Sequence, residues 1–181
     1  LESKKIIISG GPGFGKTSII EELEKRNFKC MHEVSRSIIK EQIAIKGDVL
    51  PWKNLTTFSR LLFERRVNQF IESDEEPLVF FDRGIPDILA YMTFDNIEIP
   101  SKYLLKIEEC NYNNVVFIVP PWQQIFKNDN ERKEDYKTAV KLNDIIVQTY
   151  NDLGYETFIL PKVSVIERAD IILKKVVESS N

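Results

Sequence analysis

Residues 4–9 place Ile6, Ile7 and Ile8 in succession, a β-branched run that suits a strand buried on both faces. Glycines follow at once. Residues 18–26 then set Ile19, Ile20 and Leu23 at helical spacing, with Glu21, Glu22 and Lys25 on the opposite side. The chain therefore opens as strand, glycine-rich turn, helix. Short runs rich in β-branched or aromatic residues at 29–32, 77–81, 114–119 and 155–160 predict four further strands. Helical periodicity between and after them predicts helices over 34–45, 56–73, 87–93, 101–109, 134–153 and 164–178. Strands alternating with helices imply an α/β fold, a parallel sheet with helices on both faces.

Two connections are polar enough to be mobile: 46–55, with Gly47, Pro51 and Trp52, and 120–135, with Asn128, Asp129, Asn130, Glu131, Arg132 and Lys133. The second is expected to be a lid. With no internal repeat or low-complexity tract, the 181 residues are read as a single domain, 1–181.

Composition narrows the function classes. Apolar residues make up 43% of the chain and charged residues 29%, the balance of a folded protein rather than a disordered one. A net charge of -3 offers no footprint for a polyanion, so polymeric nucleic acid is not an expected partner. Cys30 and Cys110 stand far apart and His32 is the single histidine, which excludes a zinc ribbon and a histidine-rich metal site. Both cysteines are expected to be small buried apolar residues. No apolar run approaches the roughly 20 residues of a membrane span, and no apolar leader opens the sequence, so a cytoplasmic protein is expected.

The chemistry begins at Gly10-Gly11-Pro12-Gly13-Phe14-Gly15-Lys16-Thr17, which fits G-x-x-x-x-G-K-[ST] between a buried strand and a helix. Glycines let the backbone wrap a phosphate with its N–H groups inward, and the helix presents its positive end to the same anion. Lys16 is expected to reach the β and γ oxygens and Thr17 to offer a hydroxyl to Mg²⁺, with Ser18 completing the first turn. A dinucleotide-binding fingerprint has no place for Lys-Thr and is set aside.

Ligands of open parallel sheets lie outside the carboxyl ends of the strands, and two acids fall there. Glu33 follows the second strand in Glu33-Val-Ser-Arg36, and Asp82 ends the third in Phe80-Phe-Asp-Arg-Gly84. Asp82 is placed to hold Mg²⁺, directly or through water, or to orient an attacking oxygen; the alternative is a turn or cap aspartate, a task Asp87 could fill instead. Glu33 could serve catalysis or merely complement the dipole of the helix it opens. Arg36 could pair with Glu33 or Asp82, or touch an acceptor.

These motifs, with Pro120-Pro-Trp122 through Arg132, occur in an order that resembles the NadR-like predicted ATPases, the AAA-domain family related to the ribosylnicotinamide kinase domain within the nucleoside and nucleotide kinase-like P-loop proteins. The resemblance spans essentially the whole chain, including Leu50-Pro-Trp52 and the region of Pro161. It implies a three-layer P-loop NTPase fold with five parallel strands in the order 2-3-1-4-5, an arginine-bearing lid, and transfer or hydrolysis of a γ-phosphoryl group. It places Glu33 near the acceptor hydroxyl, matches Asp82 and Arg83 to the aspartate–arginine pair of such enzymes, and sets Arg132 as the lid arginine, whose planar charge suits a phosphoryl group in flight. The turn at Lys162 and Val163 would flank the nucleotide base. Without an Asn-Lys-x-Asp motif, ATP is expected rather than GTP.

Three functions remain open: a kinase acting on a small-molecule acceptor, nucleoside-like or another metabolite, an NTPase that uses water, and a nucleotide sensor without turnover. Trp52, Phe58, Arg60, Phe63, Arg65 and Arg66 stand where an acceptor pocket could form, although Phe58, Leu61, Leu62 and Arg65 also keep the spacing of a core-packing helix.

Overall fold

The computed structural model describes residues 4–126 and 135–178. The centre of the expected lid, with Arg132, lies outside them. Five strands form one sheet: β1 (Lys4–Ser9), β2 (Lys29–Met31), β3 (Leu78–Asp82), β4 (Val115–Ile118) and β5 (Glu156–Ile159). All pairs are parallel and the order is β2-β3-β1-β4-β5, as the family resemblance implies. Every crossover is helical: α1 (Lys16–Lys25), α2 (Val34–Ala44), α3 (Leu55–Glu72), α4 (Pro86–Phe94), α5 (Ser101–Glu109) and α6 (Tyr136–Asp152), with α7 (Val165–Glu178) closing the chain.

Strand side chains alternate faces, and the isoleucine run divides accordingly. Ile6 and Ile8 join Phe80, Phe117, Leu23 and Ile172 in a core under α1 and α7. Ile7 joins Phe81, Ile118, Ile38, Phe58 and Ile146 in a core on the other face. The outcome is three layers with β1 at the centre.

Register then decides where function can lie. Ile8 pairs with Asp82, Met31 with Phe81 and Ser9 with Ile118, so the turn after β1, the acid ending β3 and the residues after β2 emerge at one edge. The far edge is closed by Lys5, buried and bonded through Nζ to Asp74 at 2.5 Å.

Two differences from expectation have local causes. Residues 46–55 form a folded turn rather than a mobile one: Leu50 is buried, its carbonyl accepts from the Lys53 and Asn54 amides, and the Asn54 side chain caps α3 through the Thr57 amide at 3.1 Å. α4 starts at Pro86, one residue early, because proline is preorganised for a first helical position and lacks the N–H that would go unpaired. Cys30 and Cys110 are buried and free, as expected. No helix of the described residues is long and apolar enough to cross a membrane.

Candidate active site

The β1–α1 turn is built so that its backbone can close on an anion. Gly10 and Gly15 have φ of 127° and 90°, the left-handed region that only glycine enters without strain. A Cβ on Gly10 would lie 2.6 Å from the Val119 carbonyl oxygen. The Gly11 amide is held by the Asn143 side chain of α6 at 2.9 Å. Lys16 is almost wholly buried and folds back along the loop, donating to the Gly10 and Gly11 carbonyls at 3.0 and 2.7 Å. Its ammonium is thus held at the mouth of the cradle. Pro12 faces a neighbouring cavity, whereas the Phe14 ring turns inward and packs on Phe126 and Tyr136. Phe14 therefore has only its backbone to offer a phosphate. Ser18 is exposed on α1.

Asp82 is 1% exposed, with Oδ2 lying 3.4 Å from the Thr17 hydroxyl. Oδ1 has no hydrogen-bond partner. Burial raises the Asp82 pKa, Glu33 adds to the rise, and Lys16, Arg83 and Arg66 oppose it. One oxygen of this carboxylate is therefore left without a partner among the described residues. The Thr17 hydroxyl and Asp82 form an oxygen pair that suits Mg²⁺, which takes few protein ligands and fills its octahedron with water and substrate phosphate. The described residues hold no cluster of three or more acidic, histidine or cysteine ligands.

Arg83 joins the parts of the site. Its backbone is left-handed, φ 73°, a strained state for a residue with a Cβ. The guanidinium donates to Glu33 through Nε at 3.1 Å, and to Asp87 and the Gly10 carbonyl through Nη1 at 3.0 Å each. Nη2 is buried with no partner. Burial alone would lower its pKa, but Tyr91, Glu33, Asp87 and Asp82 together hold it well above the usual arginine value. A cation with an unused donor thus stands beside the phosphate loop.

Glu33 occupies the N-cap position of α2 without capping it. Its side chain turns instead to Arg83, to Arg36 at 3.4 Å and to the Ser35 hydroxyl at 2.9 Å. Of the partners open to Arg36, the structure thus pairs it with Glu33. Asp82 does not cap α4 either. Glu33, Arg36 and Arg83 line a cavity of about 150 Å³ together with Ile39, Leu55, Phe58, Leu62, Tyr91 and Asp95. The acceptor-side residues are thereby sorted. Phe58 and Arg66 reach this cavity, while Phe63 stacks on Tyr103 and Arg65 pairs with Glu41 at the surface. Lys162 is exposed and Val163 half-buried in the turn after β5.

An AAA-domain family matches residues 5–168. The chain belongs to that AAA-domain family. Solved structures share the fold. M. mycoides deoxyadenosine kinase with bound dATP is 17% identical, covering 96% of this chain and 98% of that one at a TM-score of 0.69. The NadR protein in complex with NR is 15% identical at a TM-score of 0.71, and this chain spans half of it. Thymidylate kinase from Ehrlichia chaffeensis is 15% identical at 0.64, covering 98% of this chain and all of that one. Among curated proteins none matches.

In this AAA-domain chain two residues at the site take roles other than those the sequence suggested, Asp87 having been expected as a cap and Arg66 at an acceptor pocket. Asp87 receives the Ser9 hydroxyl, the Gly84 amide at 2.8 Å, Arg83, and the Tyr150 hydroxyl at 2.5 Å. It ties the root of the phosphate loop to the β3–α4 turn. Arg66 is buried and donates to the Asp82 and Arg83 carbonyls at 3.3 and 2.8 Å, which fixes that turn from below. A usable signal existed. Arg66, Asn143 and Arg168 each interrupt the buried stripe of a helix, where a polar side chain needs a partner.

Proposed function

We propose that this chain is a phosphotransferase that moves the γ-phosphoryl group of ATP to a hydroxyl of a small-molecule acceptor. One observation carries the reading: the cavity bounded by Glu33 and Arg83 opens directly beside the phosphate loop at Pro12, giving a second reactant its own compartment next to the first. A nucleotide switch has no need of such a chamber. The solved structures named above support the same class, since deoxyadenosine and thymidylate kinases share this fold.

The residues divide the work. Gly10, Gly11, Pro12, Gly13, Phe14, Gly15 and Ser18 contribute the cradle, and Lys16 holds the β and γ oxygens. Thr17 and Asp82 would hold Mg²⁺, which when bound neutralises charge on those oxygens. Glu33 stands at the cavity wall to orient the acceptor hydroxyl and take its proton as the oxygen attacks phosphorus. The bond from the γ-phosphorus to its bridging oxygen breaks, and ADP leaves with that electron pair. Arg83, through its unused Nη2, offsets charge on the phosphoryl group, as a planar fork suits. Arg36 keeps Glu33 aimed, and the turn at Lys162 and Val163 flanks the base.

The lining of the cavity fits a ring-bearing alcohol, combining apolar Phe58 and Leu62 with the polar groups of Arg36, Tyr91 and Asp95. Mg·ATP is incubated with a panel of nucleosides and other hydroxylated metabolites while ADP is followed. ADP that appears only with one acceptor is the expected result. Steady hydrolysis indifferent to every acceptor, yet lost in Lys16→Ala, would instead make water the acceptor.

A further inference from the structure

Arg168 lies on the buried stripe of α7, beside Ala169 and one turn before Ile172, and is only 3% exposed. An arginine there is costly unless its charge is met. Among the described residues no acid meets it. The neighbouring acids of α7 are engaged elsewhere, Glu167 with the Ser164 hydroxyl at 2.6 Å and Asp170 with Arg26 at 2.6 Å. Arg168 Nε and Nη1 are buried and make no hydrogen bond. Desolvation lowers its pKa, and no charge among the described residues opposes it. The one favourable contact described is with a ring, Cζ standing 5.6 Å from the centre of Trp122.

What the guanidinium faces is the phosphate loop. A Cβ on Gly15 would come within 3.5 and 3.6 Å of Arg168 Nη1 and Nη2. Gly15 is the last loop residue before Lys16, so an anion held by that stretch of backbone lies within reach of both nitrogens. The position also tells which phosphate. The acceptor cavity, with Glu33 and Arg83, opens on the α2–α3 side of the sheet, whereas α7 packs with α1 on the opposite face. The transferred group must lie toward the cavity. Arg168 therefore serves the other end of the chain of phosphates.

We propose that Arg168 is a donor-binding residue whose buried guanidinium, held against Trp122 and Gly15, grips a phosphate oxygen that remains with the nucleoside diphosphate after transfer. The inference rests on the phosphotransferase reading above. Because the gripped phosphate does not move, Arg168 stabilises substrate and product alike. Its loss should weaken binding and leave the chemical step little changed.

Calorimetry on the folded chain tests this with MgATP, MgADP, tripolyphosphate and adenosine, comparing wild type with Arg168→Met, which keeps the apolar stem and removes the charge. MgADP and tripolyphosphate should each bind about 10- to 100-fold more weakly to the variant, the range for a charge-assisted contact. Adenosine should bind equally to both, and the melting temperature should hold or rise, since a desolvated charge has gone. MgADP affinity unchanged in the variant overturns the proposal, as does a loss confined to adenosine, which would assign Arg168 to the base. A wild type that binds none of the nucleotides removes the phosphotransferase reading with it. Trp52→Phe adds a readout that does not alter Arg168, because it leaves Trp122 as the sole tryptophan. Saturating tripolyphosphate should shift Trp122 emission as the guanidinium turns to the anion, and an unchanged spectrum counts against the inference.

Discussion

Asparagine at position 87 is nearly isosteric with aspartate, yet it should unseat the hub of the site. The two carboxylate oxygens receive four donors: Oδ1 takes the Ser9 hydroxyl and Arg83 Nη1, and Oδ2 takes the Gly84 amide and the Tyr150 hydroxyl. Asparagine offers one oxygen and one NH₂ group in their place. With NH₂ at the Oδ2 position, it points at the Gly84 N–H; at the Oδ1 position, it points at the Arg83 guanidinium. Ser9 and Tyr150 can rotate their hydroxyls to accept, but an amide N–H and a guanidinium cannot. Either orientation leaves a buried donor facing a donor, and Arg83 loses one of its two carboxylate partners. Breaking a buried pair of this kind costs about 3–5 kcal/mol. A domain this size shifts its melting temperature by about 2–4 °C per kcal/mol, so Asp87→Asn should melt about 6–20 °C below wild type. Tyr150→Phe, which removes one bond to the same carboxylate, should cost about 1.5–3 kcal/mol. The two changes should be non-additive because they share a partner. Urea unfolding with an unchanged m-value measures both. If Asp87→Asn loses less than about 1 kcal/mol, the carboxylate is not the junction described.

The raised pKa of Asp82 makes stability depend on pH with a definite sign. A carboxyl whose folded pKa exceeds its unfolded value contributes stability that is present below the unfolded pKa and lost as pH rises through the folded one. Asp82→Asn should therefore be more stable than wild type at neutral pH without nucleotide, with the gap closing toward pH 4, while turnover falls about a hundredfold or more. A wild type more stable than the variant at neutral pH contradicts that account. Gly10→Ala forces a Cβ into the left-handed region and against the Val119 carbonyl, a combination of backbone strain and overpacking worth about 2–6 kcal/mol. Chemical denaturation that finds Gly10→Ala as stable as wild type would show the cradle to be looser than its geometry.

Much of this was legible in the chain because the informative signals are local. A buried isoleucine run followed by a glycine loop and an amphipathic helix can be read within about two dozen residues, and short strands with helices between them leave few topologies open. Glu33 and Asp82 could be placed at one edge by the same reasoning, since every strand of a parallel sheet delivers its carboxyl end there. The partners of these residues were harder to find. Asp87 looked like a helix cap because its sequence neighbours are a helix start, and only the fold brings Ser9 and Tyr150 to it from 78 and 63 residues away. Glu33 was ambiguous for the same reason, because a glutamate at a helix start suits the dipole whether or not an arginine from the next strand is waiting.

The buried polar residues whose partners were not foreseen share a property that sequence does display. Arg66 falls between Phe63 and Phe70, Asn143 beside Leu142 and before Ile146, and Arg168 next to Ala169, each on a stripe that should be apolar throughout. Burying a guanidinium or an amide on such a stripe is tolerated only where fixed acceptors or donors meet it. Two have met theirs at least in part: Arg66 donates through Nη1 to the carbonyls of the β3–α4 turn, although its Nε has no partner among the described residues, and Asn143 binds the amide of Gly11. In both cases the polar group holds backbone that cradles or borders the site, which is where an irregular chain leaves carbonyls and amides unpaired. Arg168 lies on the same kind of stripe and at the same edge, but no such acceptor reaches its Nε or Nη1. A side chain obeying the rule of the other two would be completed by a partner that the described residues do not provide, and the phosphate loop beside it is built to bring an anion.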